Sequence, residues 1–186
     1  LAPEARLPCQ RAPGFSASPG DDPADTDDRT GHGTAIARTI LRLAPRAVLC
    51  PVRVTDESGA LYDPAVLPSA LRWLHERAAD LGLRLVCVPL AGREHHASDA
   101  ALRGGPLHRV IADLRAADVL IVASAGNWWQ NYPARFAPGM AAPAILREVI
   151  SVGALTTDGG ALRVAPGSRR LHPAQGGPAA TTLFAR

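Results

Sequence analysis

Five consecutive apolar residues, Val119-Leu120-Ile121-Val122-Ala123, constrain this chain more than any other stretch. A strand that is apolar at every position has no solvent face, so it belongs in a sheet covered on both sides, the usual setting of parallel strands. Parallel strands need crossovers, and helical patterns lie between the apolar runs. Leu67, Leu71, Leu74, Ala78 and Leu81 form a stripe of helical period from Pro64 to Leu81, with Gly82 as its stop. Leu107, Val110, Ile111 and Leu114 do the same from Pro106 to Ala117, where proline opens the helix. Ala35, Ile36, Ile40 and Leu43 predict a helix from Gly33 to Leu43, ended by Pro45. Strands are predicted at Leu83 to Val88 and Glu148 to Leu155. Val48 to Val54 reads as an edge or interrupted strand, because Pro51 cannot donate to a ladder. Residues 1 to 31 read as loop, and the tail from Thr156 to Arg186 loses periodicity. The expected fold is α/β, a parallel sheet flanked by helices on both faces.

At 186 residues the chain suits one domain that buries roughly 70% of its unfolded surface. No linker or internal repeat divides it. All 20 basic residues are arginine, against 17 acids, a net charge of only +3. No basic cluster alternates with aromatics, and the one basic run, Arg169-Arg170, is too short to suggest a nucleic-acid partner. No stretch approaches the ~18 apolar residues of a membrane span. Leu1 to Arg6 lack the basic start and apolar run of a signal peptide, and the compartment stays open. Cys9, Cys50 and Cys87 have no metal spacing and read as small buried thiols. His75, His108 and His172 read as structural or exposed. Adjacent His95 and His96 point apart, and no second ligand pair sits at helical spacing, so no metal site is assigned. Asp21, Asp22, Asp25 and Asp27 read as a solvated acidic loop. A calcium loop is the sharper alternative, but the glycine of an EF-hand turn is missing, and no cofactor is assigned.

Two segments carry chemistry. Asp28-Arg29-Thr30-Gly31-His32-Gly33-Thr34 places an imidazole between two glycines at the mouth of the first helix. Glycine permits the tight turn and close backbone approach. The positive end of the helix dipole favours the neutral imidazole that a general base needs. Ser124-Ala125-Gly126-Asn127 follows the apolar strand directly. In open α/β sheets, sites form beyond the carboxyl ends of the strands, which is where Gly126 and Asn127 fall. Read without further context, Asn127 is a turn or capping residue.

Together these segments resemble the subtilisin-like serine proteases, the subtilases of peptidase family S8. Asp28 to Ala37 resembles their histidine box, Val119 to Asn127 their strand and turn ending in Ala-Gly-Asn, and Val149 to Ala154 a later strand, in the family's order. The resemblance covers most of residues 28 to 155. It implies a subtilisin-like fold, incomplete here, and a polypeptide substrate. It also implies catalytic roles for His32, as proton carrier, and Asn127, as a donor to the developing oxyanion. Ser124, Ala125 and Gly126 match the wall of the pocket for the residue before the scissile bond. Leu90, Ala91 and Gly92 match the family's Ser-Leu-Gly-Gly strand, which pairs with substrate backbone. Pro89 stands where that motif has serine and cannot donate a backbone hydrogen bond, and Ala91 replaces glycine. Ala142-Pro143-Ala144 resembles the family's Tyr-Pro-Ala segment without the tyrosine. Asp28 matches an acidic position that shapes the histidine loop. Trp128, Trp129 and Tyr132 either line a groove or cap the core.

The other two triad members are missing. No aspartate ends an apolar run before Ser/Thr-Gly, and no Gly-Thr-Ser-x-Ala opens a helix. Ser168 is followed by nothing that reads as an apolar helix, and Ser124 and Ser151 belong to strands. Three readings stand open: an interior piece of a serine endopeptidase domain, a degenerate relative that binds peptides without cleaving them, and an unrelated α/β binding domain. The last has no Gly-x-Gly-x-x-Gly to support a dinucleotide.

Overall fold

The computed structural model describes residues 12–17, 20–61, 63–129, 139–171 and 183–185. Cys9, Tyr132 and His172 lie outside the described residues. The chain divides into two compact units, Leu1–Leu81 and Gly82–Arg186.

In the first unit, strand β1 (Phe15–Ser16) pairs in parallel with β2 (Val52–Arg53). The strand expected over Val48 to Val54 is thus cut to two residues by Pro51, whose carbonyl still accepts from the Phe15 amide at 3.1 Å. Helix α1 covers His32–Leu43 and α2 covers Val66–Glu76. The α2 stripe buries Val66, Leu67, Ala70, Leu71 and Leu74. Trp73 stacks on Phe15 with ring centroids 5.0 Å apart, which ties α2 to the small sheet. Arg53, nearly buried, pairs with Asp21 and with Asp25, two acidic-loop carboxylates that remain partly exposed.

The second unit holds the predicted parallel sheet. Strand β3 (Leu85–Val88), helix α3 (Pro106–Ala116) and β4 (Leu120–Ser124) form a crossover, with Leu85 opposite Leu120 and Val88 opposite Ala123. Strand β5 (Ile150–Asp158) pairs with β4 in parallel, and β7 (Leu183–Ala185) pairs with β5 in parallel. Strand β6 (Ala161–Val164) is antiparallel to β5. Part of the tail that lost periodicity is therefore a hairpin, turned at Gly159-Gly160. Ile111 and Leu114 on α3 and Val119 and Ile121 around the start of β4 are fully buried, so the helix covers the sheet with its own apolar stripe. The peptide between Ala142 and Pro143 is cis. Asp99 is buried and receives Arg147 at 2.9 Å and Arg103 at 3.5 Å; the Arg147 hydrogen bond is the main cause that holds its carboxyl below the usual range.

Candidate active site

His32 is the first residue of α1, after Gly31 as N-cap at φ 79°. Gly31 has no neighbour that a Cβ would strike, so glycine is required there for its left-handed backbone alone. A glycine cap offers no side-chain acceptor, and Asp28 supplies one instead. Its carboxylate accepts from the amides of Thr34 at 2.7 Å, Gly31 at 2.9 Å and Thr30 at 3.1 Å. The His32 amide donates to the Thr30 hydroxyl at 3.2 Å. The loop around the imidazole is thus wound on one carboxylate, the shaping role that the resemblance implies for Asp28. Burial pushes the Asp28 carboxyl up, but the Thr34 amide and hydroxyl, then the Thr30 and Gly31 amides, outweigh it and hold the pKa at about 2.

Replacing Asp28 with asparagine is therefore expected to cost about 1 kcal/mol at pH 7, the scale of a helix cap, with solvent screening limiting the gain from the charge. The folded pKa lies below the unfolded 3.8, so the contribution is present above 3.8 and is lost as pH falls through about 2. Urea unfolding of both proteins at pH 7 and pH 2 measures it. The gap between them should largely close at the lower pH; a constant gap would mean that the charge contributes nothing.

In the second unit the other candidates gather at the carboxyl end of β4. Ser124 Oγ accepts from the Gly126 amide at 3.3 Å. Gly126 turns the chain at φ 105°, and Asn127 follows, exposed. No hydrogen bond joins the Asn127 carboxamide to another described residue, while its main-chain oxygen is held at 2.7 Å by Nε of Arg169. Trp128, at φ 65° and 62% exposed, stands beside it. Trp129 turns in, its amide donating to the Gly167 carbonyl at 3.0 Å and its ring lying under Arg170. The wall expected from Ser124, Ala125 and Gly126 is uneven. The Ala125 side chain lies in a core cluster with Met140, Ile145 and Leu171.

Leu90, Ala91 and Gly92 run on from β3, and Arg169 draws the two strand ends together. Its Nη1 donates to the carbonyls of Gly92 at 3.0 Å and Glu94 at 2.8 Å, and its amide donates to the Gly126 carbonyl at 2.8 Å. Arg169 is 2% exposed. Nothing local in the sequence marks it, because the carbonyls it reaches among the described residues lie 42 to 77 residues away. Ser168 is committed as well: its hydroxyl accepts from the Ala154 amide at 2.9 Å and donates to the Arg169 carbonyl at 3.3 Å. Among the described residues, no group of three or more His, Cys, Asp or Glu is placed to hold a metal ion.

The model of the subtilase family, peptidase S8, matches residues 12–183. The subtilisin-like protease het-Q2 of Podospora anserina is 33% identical over 144 residues, which are 71% of this chain and 37% of that protein. The chain thus spans little more than a third of that relative's length. Fervidolysin from Fervidobacterium pennivorans has the same fold, with a TM-score of 0.62 at 21% identity over 87% of this chain and 24% of its own. A lanthipeptide protease gives 0.60 at 22% identity over 84% of this chain and 44% of its own. The family match runs through the histidine loop, the crossover and the hairpin alike, and the chain belongs to the subtilase family of serine peptidases.

Proposed function

We propose that this chain is the middle of a subtilisin-type serine endopeptidase domain acting on polypeptides. A serine supplied by the rest of such a domain attacks the peptide carbonyl. His32 takes the serine proton and returns it to the leaving amine. The Asn127 carboxamide donates to the oxyanion of the tetrahedral intermediate, where charge develops only on the way to the transition state. Water then hydrolyses the acyl-enzyme. Leu90, Ala91 and Gly92 form the edge along which the substrate backbone lies, and Ser124 and Gly126 the pocket wall. Ala125 contributes through its backbone, since its side chain faces the core.

One observation carries this reading: an exposed carboxamide stands past the end of a parallel strand, on a main chain fixed by Arg169. A donor that meets no partner among the described residues, carried on a main chain held at its own carbonyl, is suited to stabilise transient charge with little reorganisation.

A second reading, a relative that binds peptides without cleaving them, draws on the serines. Ser168 and Ser151 are buried at 3% and 1% exposure, and the Ser168 hydroxyl already serves two backbone groups. The chain by itself is therefore expected to hydrolyse no peptide bond. Incubation with a fluorophosphonate serine-hydrolase probe, with and without an active-site competitor, tests this. No competitor-sensitive labelling is expected, and labelling that the competitor blocks would overturn the expectation.

A further inference from the structure

Arg169 lies where the peptidase reading puts a substrate side chain. A Cβ built on Gly126 would stand 2.8 Å from Arg169 Cδ, 3.2 Å from its Nε and 3.4 Å from Ala91 Cβ. The face of Gly126 that lacks a side chain therefore looks across to Ala91, and the stem of Arg169 lies against it. The guanidinium then reaches the carbonyls of Gly92, Glu94 and Asn127 at 2.7 to 3.0 Å. Arginine is almost never fully buried unless its charge is met. Here charge-assisted bonds to three backbone oxygens offset the desolvation. The neighbouring Arg170 is directed differently, half-exposed over the Trp129 ring with its guanidinium carbon 4.7 Å from the centroid.

We propose that Arg169 is the chain's own occupant of the side-chain pocket between the ends of β3 and β4, and that the pocket's carbonyl lining is selective for a guanidinium. The proposal rests on the peptidase reading of Leu90 to Gly92 and Ser124 to Asn127. With Arg169 in place the subsite admits a bound peptide only where its residue is glycine or alanine. An apolar side chain could fill the slot but would leave three acceptors unmet, a loss that a polar site enforces more strictly than a size limit. Once Arg169 is removed, the slot accepts an arginine of the bound peptide. A residue outside the family's matched motifs thus sets which peptides the site takes.

The test compares the unaltered chain with Arg169→Ala by calorimetric titration of three acetylated, amidated peptides, Ala-Ala-Ala, Ala-Ala-Phe and Ala-Ala-Arg. Thermal unfolding with increasing n-propylguanidinium, a stand-in for the side chain, accompanies it. The unaltered chain is expected to bind Ala-Ala-Ala at least tenfold more tightly than the other two, and to show no saturable response to n-propylguanidinium. Arg169→Ala is expected to gain at least tenfold for Ala-Ala-Arg, and its unfolding midpoint should rise saturably with n-propylguanidinium. Where Arg169→Ala folds only with n-propylguanidinium present, that requirement supports the proposal. Where it does not fold at all, Arg169→Gln, which keeps one amide donor, replaces it, and a smaller gain confined to Ala-Ala-Arg supports the proposal.

Two failures can be told apart. If the unaltered chain binds Ala-Ala-Phe or Ala-Ala-Arg as tightly as Ala-Ala-Ala, or a folded variant gains nothing for Ala-Ala-Arg, the pocket is not occupied by Arg169 and the peptide site stands without it. If n-propylguanidinium stabilises Arg169→Ala but neither protein binds any peptide, the peptidase reading of these strands fails. The subsite then fails with it, and Arg169 is a strut.

Discussion

Arg169→Ala is expected to lower the unfolding free energy by about 3 kcal/mol, while Arg170→Ala loses under about 1 kcal/mol. The two arginines are adjacent in sequence and differ in what surrounds them. Arg169 donates to Asn127, Gly92 and Glu94 carbonyls from a buried position. A hydrogen bond from a charged donor contributes about 1.5–3 kcal/mol, and removing the donor strands its acceptors. The three bonds do not add in full. Ala91, Glu94 and Asn127 are exposed, so water reaches the rim once the side chain is gone. Arg170 lies over Trp129 and donates once, to the Ser168 carbonyl at 2.7 Å. The two compact units need not unfold together, so the reporter must belong to the right one. Of the three tryptophans, Trp128 and Trp129 lie in Gly82–Arg186 and Trp73 does not. Urea unfolding followed by tryptophan fluorescence in a Trp73→Phe background reads the relevant unit. Equal losses for the two arginine variants would mean that the carbonyl cradle contributes nothing beyond side-chain packing.

The contrast between Arg169 and His32 shows what the sequence makes legible. His32 and its supports lie within six residues of Asp28, and a glycine-flanked motif at a helix start is a local pattern. Helices α1, α2 and α3 are likewise legible from apolar stripes of helical period, and strands β3 and β4 from short apolar runs. Val48 to Val54 promised more strand than formed, since Pro51 leaves only Val52 and Arg53 to pair. The β5–β6 hairpin was missed for the opposite reason. Strand β6 is exposed at Ala161, Leu162 and Arg163, so no alternation marks it. Its turn signal, Asp158-Gly159-Gly160, is present, but only the run before it, Glu148 to Leu155, reads as a strand, and nothing after it pairs with that run in the sequence. Arg169 leaves no trace in sequence because its partners among the described residues are main-chain oxygens, and any residue type supplies those. Only the sheet, by bringing the ends of β3 and β4 together, reveals them.

Gly126 is where backbone conformation and the Arg169 cradle meet, and Gly126→Ala is expected to cost about 3 kcal/mol. Two terms contribute. A φ of 105° is outside the regions that an L side chain adopts, which costs on the order of 1–3 kcal/mol. The new methyl would also stand 2.8 Å from Arg169 Cδ, and that side chain is pinned at its far end by three carbonyls, so it cannot swing away. Overpacking of this kind adds roughly 1–3 kcal/mol. Gly31→Ala separates the two terms, because Gly31 has φ 79° but nothing within 4 Å of its built Cβ; it should lose only the conformational part, about 1 kcal/mol. Combining Gly126→Ala with Arg169→Ala should relieve the steric part and keep the rest. The double variant is thus expected to be more stable than the sum of the single losses predicts, by about 1–2 kcal/mol. Strict additivity in that cycle would place the Arg169 stem elsewhere than against Gly126, and the steric argument for a filled pocket would go with it.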